Sequence, residues 1–364
     1  MADAPTVTGL TVRPVIAPLA RPLTVSSGQV HQAPLLLLDL ATDAGATGRA
    51  YLFTYTPRAL EPTRRLLEEL SDLVVGHPLA PLELEARLHG VFRLLGAPGL
   101  AQMAMAGLDM AAWDALARTH DRPLAEMLGA SVQEVAAYNS NGLGLIGAEA
   151  LGREAEELLD GGRFRAVKLR LGNATVAEDL AALQAVRDAV GADTELFVDY
   201  NQILSVPEAV RRLSRIEEQD DIGWLEEPTR WDDYDGHAEV AAASLTPIQF
   251  GENCWGPRDM AKALDAGACN LFMADAMKIG GVSGWLRAAA VAETRGVPLS
   301  SHLFPEVSVH LMCASPTRHR LEVVDWASPV LRRPMPVERG RARPLDGPGI
   351  GLEWDEHAVQ RYAV

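Results

Sequence analysis

Six residues able to carry charge recur at nearly even intervals along the second half of the chain. From Lys168 to Asp199, Glu226, Glu252, Asp275 and His302 the steps are 31, 27, 26, 23 and 27 residues. Each lies at or just past the end of a short apolar run: "AVKLR", "LFVD", "GWLEE", "IQFGE", "LFMAD" and "PLSSH". Two further runs, "VAAYNS" at Ser140 and "LEVVD" near Glu322, extend the pattern on either side. Three ionised carboxylates (Asp199, Glu226, Glu252) cannot share a dry site unless a cation neutralises them. All-oxygen ligation with places left for water and substrate is the Mg²⁺ pattern. Taken singly, each acid reads as a solvated loop residue; three at matching run ends, with cations on the preceding run, do not. Asp275 and His302 follow, and a carboxylate beside an imidazole fixes its tautomer and brings its pKa towards working pH. Glu322 completes the ring as an acid or hydrogen-bond donor. Lys168 and Arg170 share one face of their run, since strand side chains alternate; by the same rule Glu227 points away from Glu226. His310 and His319 lack such placement and read as packing or surface residues.

These residues need a scaffold that brings run ends together. Helix-like segments such as "TVAEDLAALQAVRDAVG" and "GVSGWLRAAAVAETRG" separate most of the runs, and Pro207 and Pro257 sit near helix starts, where proline is tolerated. The beat is a repeated βα unit with parallel strands. Eight such strands predict an α/β fold of the TIM-barrel type, with its site at the C-terminal strand ends. The first part of the chain differs: strand-like runs such as "APLLLLDLAT" and "TGRAYLFTY" precede helical stretches such as "GLAQMAMAGLDMAAWDALARTH", an α+β pattern. Residues 1–130 are therefore expected to form one domain, 131–329 a barrel, and 330–364 a tail. The polar, glycine-containing "RPLTVSSGQVHQ" is expected to be a mobile loop.

Composition excludes several classes. The 364 residues are 48% hydrophobic and 23% charged, ordinary for a globular enzyme. A net charge of −16 argues against nucleic acid and anionic membranes as partners. No apolar run reaches the roughly 18 residues of a membrane helix. The start "MADAPTVTGL" lacks the regions of a signal peptide. Three scattered cysteines, Cys254, Cys269 and Cys313, suit a reduced, cytoplasmic protein.

At this point the sequence resembles the mandelate racemase subgroup of the enolase superfamily over nearly its whole length. The motifs are "YLFTYTP", "MAGLDMAAWDAL", "FRAVKLR", "VDYNQ", "EEPT", "GENCWGP", "DAMKIGGVSGW" and "SSHLF". The resemblance implies a modified barrel of the (β/α)7β kind, an N-terminal α+β capping domain, and a tail returning to that domain. It implies Asp199, Glu226 and Glu252 as Mg²⁺ ligands, His302 as a general base and Asp275 as its partner. Glu322 corresponds to an acid that donates a hydrogen bond to the substrate carboxylate, and Lys168 to a lysine that binds it. Ser140 and Asn201 fall where the family contacts substrate, Phe53 and Tyr55 where the capping domain lines the pocket, and "TVSSGQV" where it has a flap. A small hydroxycarboxylate substrate and a homo-oligomer, an octamer or smaller, are implied likewise.

One departure matters. Arg170 stands where the racemase pattern has a second lysine. A lysine can lose its proton when neighbouring cations depress its pKa, whereas arginine side chains stay protonated in almost every setting. The expected chemistry is abstraction of the α-proton of a 2-hydroxycarboxylate, leading to racemisation or epimerisation, or to dehydration of an acid sugar. Arg170 is then either an electrostatic clamp on the substrate, which leaves His302 as the one base, or an unusual second base. Ser27 in the flap and Asn141 beside Ser140 lean towards a more polar hydroxy acid than mandelate. The alternative class is a catalytically silent barrel kept as a binding protein.

Overall fold

The structure, a computed structural model, describes residues 5–25 and 28–364. Strands β1 (Val7–Val25), β2 (Gly28–Thr42) and β3 (Thr47–Phe53) form an antiparallel sheet in that order. Leu35 to Leu38 of β2 are all buried, on both faces of the sheet. Helices α1 (Pro57–Ser71), α2 (Pro81–Val91), α3 (Leu100–Thr119) and the short α4 (Leu124–Met127) follow. Prolines open α1 and α2, where their fixed φ fits and no amide hydrogen bond is lost. α3 is apolar almost all round and correspondingly buried. It lies so close to β3 that a Cβ on Gly48 would sit 2.0 Å from the Ala111 carbonyl oxygen.

Eight parallel strands follow: β4 (Val135–Asn139), β5 (Ala166–Arg170), β6 (Glu195–Asp199), β7 (Trp224–Glu226), β8 (Ile248–Phe250), β9 (Leu271–Asp275), β10 (Leu299–His302) and β11 (Leu321–Val323). Each pairs with the next from β4 to β10, and β11 pairs with β4. The Ser301 amide donates to the Arg320 carbonyl (3.0 Å) and closes the ring. Seven helices connect the strands: α5 (Ala148–Leu159), α6 (Val176–Val190), α7 (Val206–Glu217), α8 (Tyr234–Ala242), α9 (Pro257–Ala266), α10 (Gly281–Arg295) and α11 (Pro305–Cys313). This is the (β/α)7β barrel. Local signals set the helix starts: Thr175 and Glu178 form a capping box on α6, and prolines open α9 and α11. Beyond β11 the chain forms β12 (Val337–Glu338) and β13 (Arg341–Ala342), with β13 antiparallel to β4. It ends in α12 (Glu356–Tyr362) beside β1, where Val15 bridges Ala363 and Arg13 pairs with Glu356 at 2.6 Å.

The segment expected to be a loop is mostly a hairpin. β1 runs to Val25 and β2 begins at Gly28, with Leu23 opposite Val30. The alternation of Leu23, Val25 and Val30, all on the cavity wall, explains the ribbon: one of its faces is apolar and covered. Ser27 lies outside the described residues.

Candidate active site

Strand register sets the polar residues at one height. Arg170 pairs with Asp199 across β5 and β6, Asp199 with Glu226 across β6 and β7, and Asp275 with His302 across β9 and β10. Below them the barrel is filled by Tyr138, Phe197, Trp224 and Met273, with the Phe197 and Trp224 rings stacked at 3.4 Å. Glu252 sits two residues beyond the end of β8. Asp199, Glu226 and Glu252 each place a carboxylate oxygen within 4.8 Å of the others. Lys168 Nζ lies 2.6 Å from Glu226, 2.9 Å from Glu322 and 3.4 Å from Asp199. Burial pushes the Glu226 carboxyl up; Lys168 opposes this, but Asp199, Glu252 and Glu322 add to it, leaving it at about 8. Burial alone would lower Lys168, but its three carboxylates outweigh that and raise it.

Besides burial, Asp199 and Glu252 both push the Glu226 carboxyl up, the mark of negative charge left uncompensated among the three acids. A divalent cation among Asp199, Glu226 and Glu252 would compensate it with oxygen donors, so the residues present fit Mg²⁺.

His302 Nδ1 is 2.8 Å from Asp275 Oδ2, and its Nε2 is 3.2 Å from Glu252 Oε2. Asp275 Oδ1 in turn accepts from the amides of Met277 (2.8 Å) and Lys278 (2.9 Å). Burial works to lower the His302 pKa, but Glu252, Glu322 and Asp275 outweigh it and set it at about 9. His310 and His319 lie off the cavity. His310 accepts from the Ala125 amide (3.2 Å), His319 packs near Trp224, and burial lowers both to about 4.

Two expectations need correction, those for Ser140 and Glu322. Arg170, unlike Lys168, has no carboxylate within 4.0 Å among the described residues. Its guanidinium donates to the carbonyls of Ser140 and Gly142 and to Ser140 Oγ, each at 2.8 Å. Ser140 is fully buried behind Arg170 and is not on the cavity wall, because its hydroxyl is turned to that guanidinium. The surroundings of Glu322 favour its ionised form over the neutral donor expected. Burial would raise its carboxyl, but Lys168, His302 and the Leu303 amide (2.7 Å) outweigh burial and lower it.

The cavity measures about 750 Å³ and is walled by Asn201, Phe53 and Tyr55, with Lys168, Arg170, Asp199, Glu252, His302 and Glu322 on its floor. Asn201 also donates to Asp199 from its amide (2.7 Å) and side chain (2.9 Å). Trp255 and Trp326 add apolar wall. Asn141 is not on the wall; its side chain bonds Asn139 (3.0 Å) and the Asp325 amide (3.1 Å). Sequence reasoning missed Lys278, three residues past Asp275 in "DAMKIGG", and Asn253, next to Glu252; their adjacency to strand ends was the signal. Glu227 does not turn away. β7 ends at Glu226, Glu227 takes φ +36°, and its carboxylate meets Asn253 at 2.9 Å, which also reaches Glu252 at 3.2 Å.

Known proteins resemble this chain in sequence and fold. Residues 7–129 match the family Mandelate racemase / muconate lactonizing enzyme, N-terminal domain, and residues 150–358 match Enolase C-terminal domain-like. An enolase from Bradyrhizobium, solved with magnesium and mandelic acid, is 42% identical, superposes with a TM-score of 0.95 and is covered end to end by this chain (100% of each). An L-talarate/galactarate dehydratase of Salmonella typhimurium is 30% identical over 93% of this chain and 85% of its own length. A 3,6-anhydro-alpha-L-galactonate cycloisomerase of Streptomyces coelicolor is also 30% identical, over 95% of this chain and 96% of its own. By these matches the chain belongs to the mandelate racemase/muconate lactonizing enzyme family of the enolase superfamily.

Proposed function

We propose that this chain is an Mg²⁺-dependent enzyme that removes the α-proton of a 2-hydroxycarboxylate, with His302 as the base. The observation that carries the reading is the His302–Asp275 pair at 2.8 Å beside a triad of acids that fits a divalent cation. Asp199, Glu226 and Glu252 would hold that cation, which would supply positive charge against the negative charge that develops on the substrate. Loss of an α-proton puts a second negative charge on the carboxylate oxygens, and the Lys168 ammonium is placed to meet it. Asp275 holds Nδ1 of the imidazole and leaves Nε2 for the proton. Glu322, ionised beside Lys168, takes up a proton when a second carboxylate enters its surroundings, since like charges raise a carboxyl pKa; it then donates a hydrogen bond to the substrate.

The commitment of the Arg170 guanidinium to Ser140 and Gly142 favours one-base chemistry, which is dehydration. His302 takes the α-proton and returns it to the departing 3-hydroxyl. The C–H and C–O bonds break, water leaves, and the enol product becomes a 2-keto acid. Racemisation is the second reading. It is favoured by the apolar wall and by the 42% identical structure that holds mandelic acid, which has no 3-hydroxyl to lose. The deciding experiment incubates single enantiomers of 2-hydroxy and 2,3-dihydroxy acids with protein and Mg²⁺ in D₂O. Exchange from one enantiomer with keto-acid formation supports the first reading, label in both enantiomers the second, and no exchange from any acid rejects both. Self-association is proposed as well, supported by Leu94 and Leu95, which are 99% and 83% exposed. A monomeric sedimentation coefficient would remove that part.

A further inference from the structure

Lys278 follows β9, and Lys168 lies on β5. In the ring of eight strands these are four places apart, so the two lysines leave the ring from opposite strands. Both line the cavity. Their partners differ in kind. Lys168 has three carboxylates around it. Lys278, only 5% exposed, has no carboxylate oxygen within 4.0 Å among the described residues. Its Nζ donates to the side-chain oxygen of Asn253 at 2.6 Å and lies 4.5 Å from the centre of the Tyr55 ring. An ammonium has three donors, and one neutral acceptor and one ring face leave it short. The buried Glu227 carboxylate reaches it through the Asn253 side chain, which bonds both, and not by direct contact, so donors of the ammonium stay free.

The backbone holds this group in place. The Lys278 amide donates to Asp275, the residue that orients His302, and its carbonyl accepts from the Gly256 amide at 3.1 Å. Lys278 therefore presents its free donors to the cavity from a fixed position. Tyr55 and Trp255 line the cavity beside it.

Resting on the reading that a 2-hydroxycarboxylate reacts beneath Lys168, we propose that Lys278 forms a second anion subsite across the barrel mouth. The substrate it fits is a 2-hydroxy dicarboxylate, whose reacting carboxylate lies at the Lys168 side and whose far carboxylate pairs with Lys278. Lys278 is then a specificity-determining residue, and the segment "DAMKIGG" serves both the base and the far end of the substrate.

The test measures dissociation constants by calorimetry, with Mg²⁺ present, for acids matched in chain length: 2-hydroxybutanoate against malate, 2-hydroxypentanoate against 2-hydroxyglutarate, and 2-hydroxyhexanoate against 2-hydroxyadipate. In the unmodified protein at least one dicarboxylate should bind about tenfold tighter than its partner, the scale of a hydrogen bond to a charged group. Lys278→Met should bring that ratio to about one, and Lys278→Arg should restore most of it, which a merely structural lysine would not do. The proposal is overturned if no pair shows a preference, or if the preference survives Lys278→Met. Should Lys278→Met fail to fold, Lys278→Gln takes its place with the same expectations, and the ratio in the unmodified protein still decides the first point. Binding ratios are read independently of turnover, so a protein that prefers dicarboxylates yet exchanges no α-proton keeps the subsite and loses the proposed reaction.

Discussion

Lys168 and Arg170 leave β5 on the same face and share no partner. Lys168 Nζ sits among three carboxylates, whereas Arg170 holds two carbonyls and a hydroxyl of the segment after β4. That segment carries the hairpin: the Leu145 amide donates to the Thr24 carbonyl at 2.7 Å, and a Cβ on Gly144 would lie 2.3 Å from that same oxygen. Arg170 is thus a brace beneath the stem of the flap. The fork of a guanidinium fits three acceptors; a lysine with one nitrogen does not.

Arg170→Lys is accordingly expected to raise KM by about tenfold or more, the effect of losing hydrogen bonds to a charged donor, and to speed amide hydrogen exchange at Leu145. Racemisation newly acquired with KM unchanged would instead mark the position as a proton slot and overturn the brace.

Metal removal gives a separate prediction. Excess EDTA should abolish α-proton exchange. Mg²⁺ at about 100 times its Kd should stabilise the fold by about 2.7 kcal/mol, read as a rise in Tm. Asp199→Asn, Glu226→Gln and Glu252→Gln should each reduce or remove that rise. A Tm indifferent to Mg²⁺ in the unmodified protein would show that the acids serve no cation.

The barrel and its acids were legible because both rest on period. Alternation and the βα beat put Asp199, Glu226, Asp275 and His302 at strand ends, and the register leaves them level. What escaped depends on backbone direction and on distance. The partners of Arg170 are carbonyls, whose orientation no residue type reveals. Against burial, the lowering of the Glu322 carboxyl comes in large part from Lys168 at 2.9 Å, a separation set by two strands distant in sequence. Glu227 broke the alternation because β7 stops one residue earlier and the next residue adopts φ +36°. Lys278 went unnoticed because its position three residues past a strand end resembles an ordinary turn.

The dyad predicts a division of effects. His302→Asn should abolish exchange from the enantiomer that faces it. Asp275→Asn should lower the rate by about 10²–10⁴-fold, the range for a positioned base. Both variants should keep the Mg²⁺-dependent rise in Tm, since neither residue belongs to the triad. Turnover retained in His302→Asn would assign the base elsewhere.

Asp109 predicts a pH dependence of stability remote from the site. It lies on α3 and accepts from Ser283 at the start of α10, at 3.0 Å from the amide and 2.5 Å from the hydroxyl, so it joins the two parts of the chain. Burial pushes its carboxyl up from 3.8 to about 7; the Ser283 bonds oppose this and the nearby Glu85 adds to it. Arg287, the other charge at this interface, is paired with Glu85 at 2.5 Å. A folded value above the unfolded one means that the native protein holds the proton more tightly. The stability from this group is therefore full below pH 3.8 and is lost as pH rises to about 7. The shift is about 3 units, from about 7 less 3.8, and at ~1.4 kcal/mol each the loss is at most ~4 kcal/mol. Asp109→Asn keeps an acceptor for the Ser283 amide and cannot ionise. Urea unfolding of the two proteins from pH 4 to 8 should show curves that nearly coincide at the acid end and separate towards pH 8, with the asparagine variant the more stable. Parallel curves, or a less stable variant at pH 8, would show that Asp109 is ionised in the native protein and holds the interface as an anion at the start of α10.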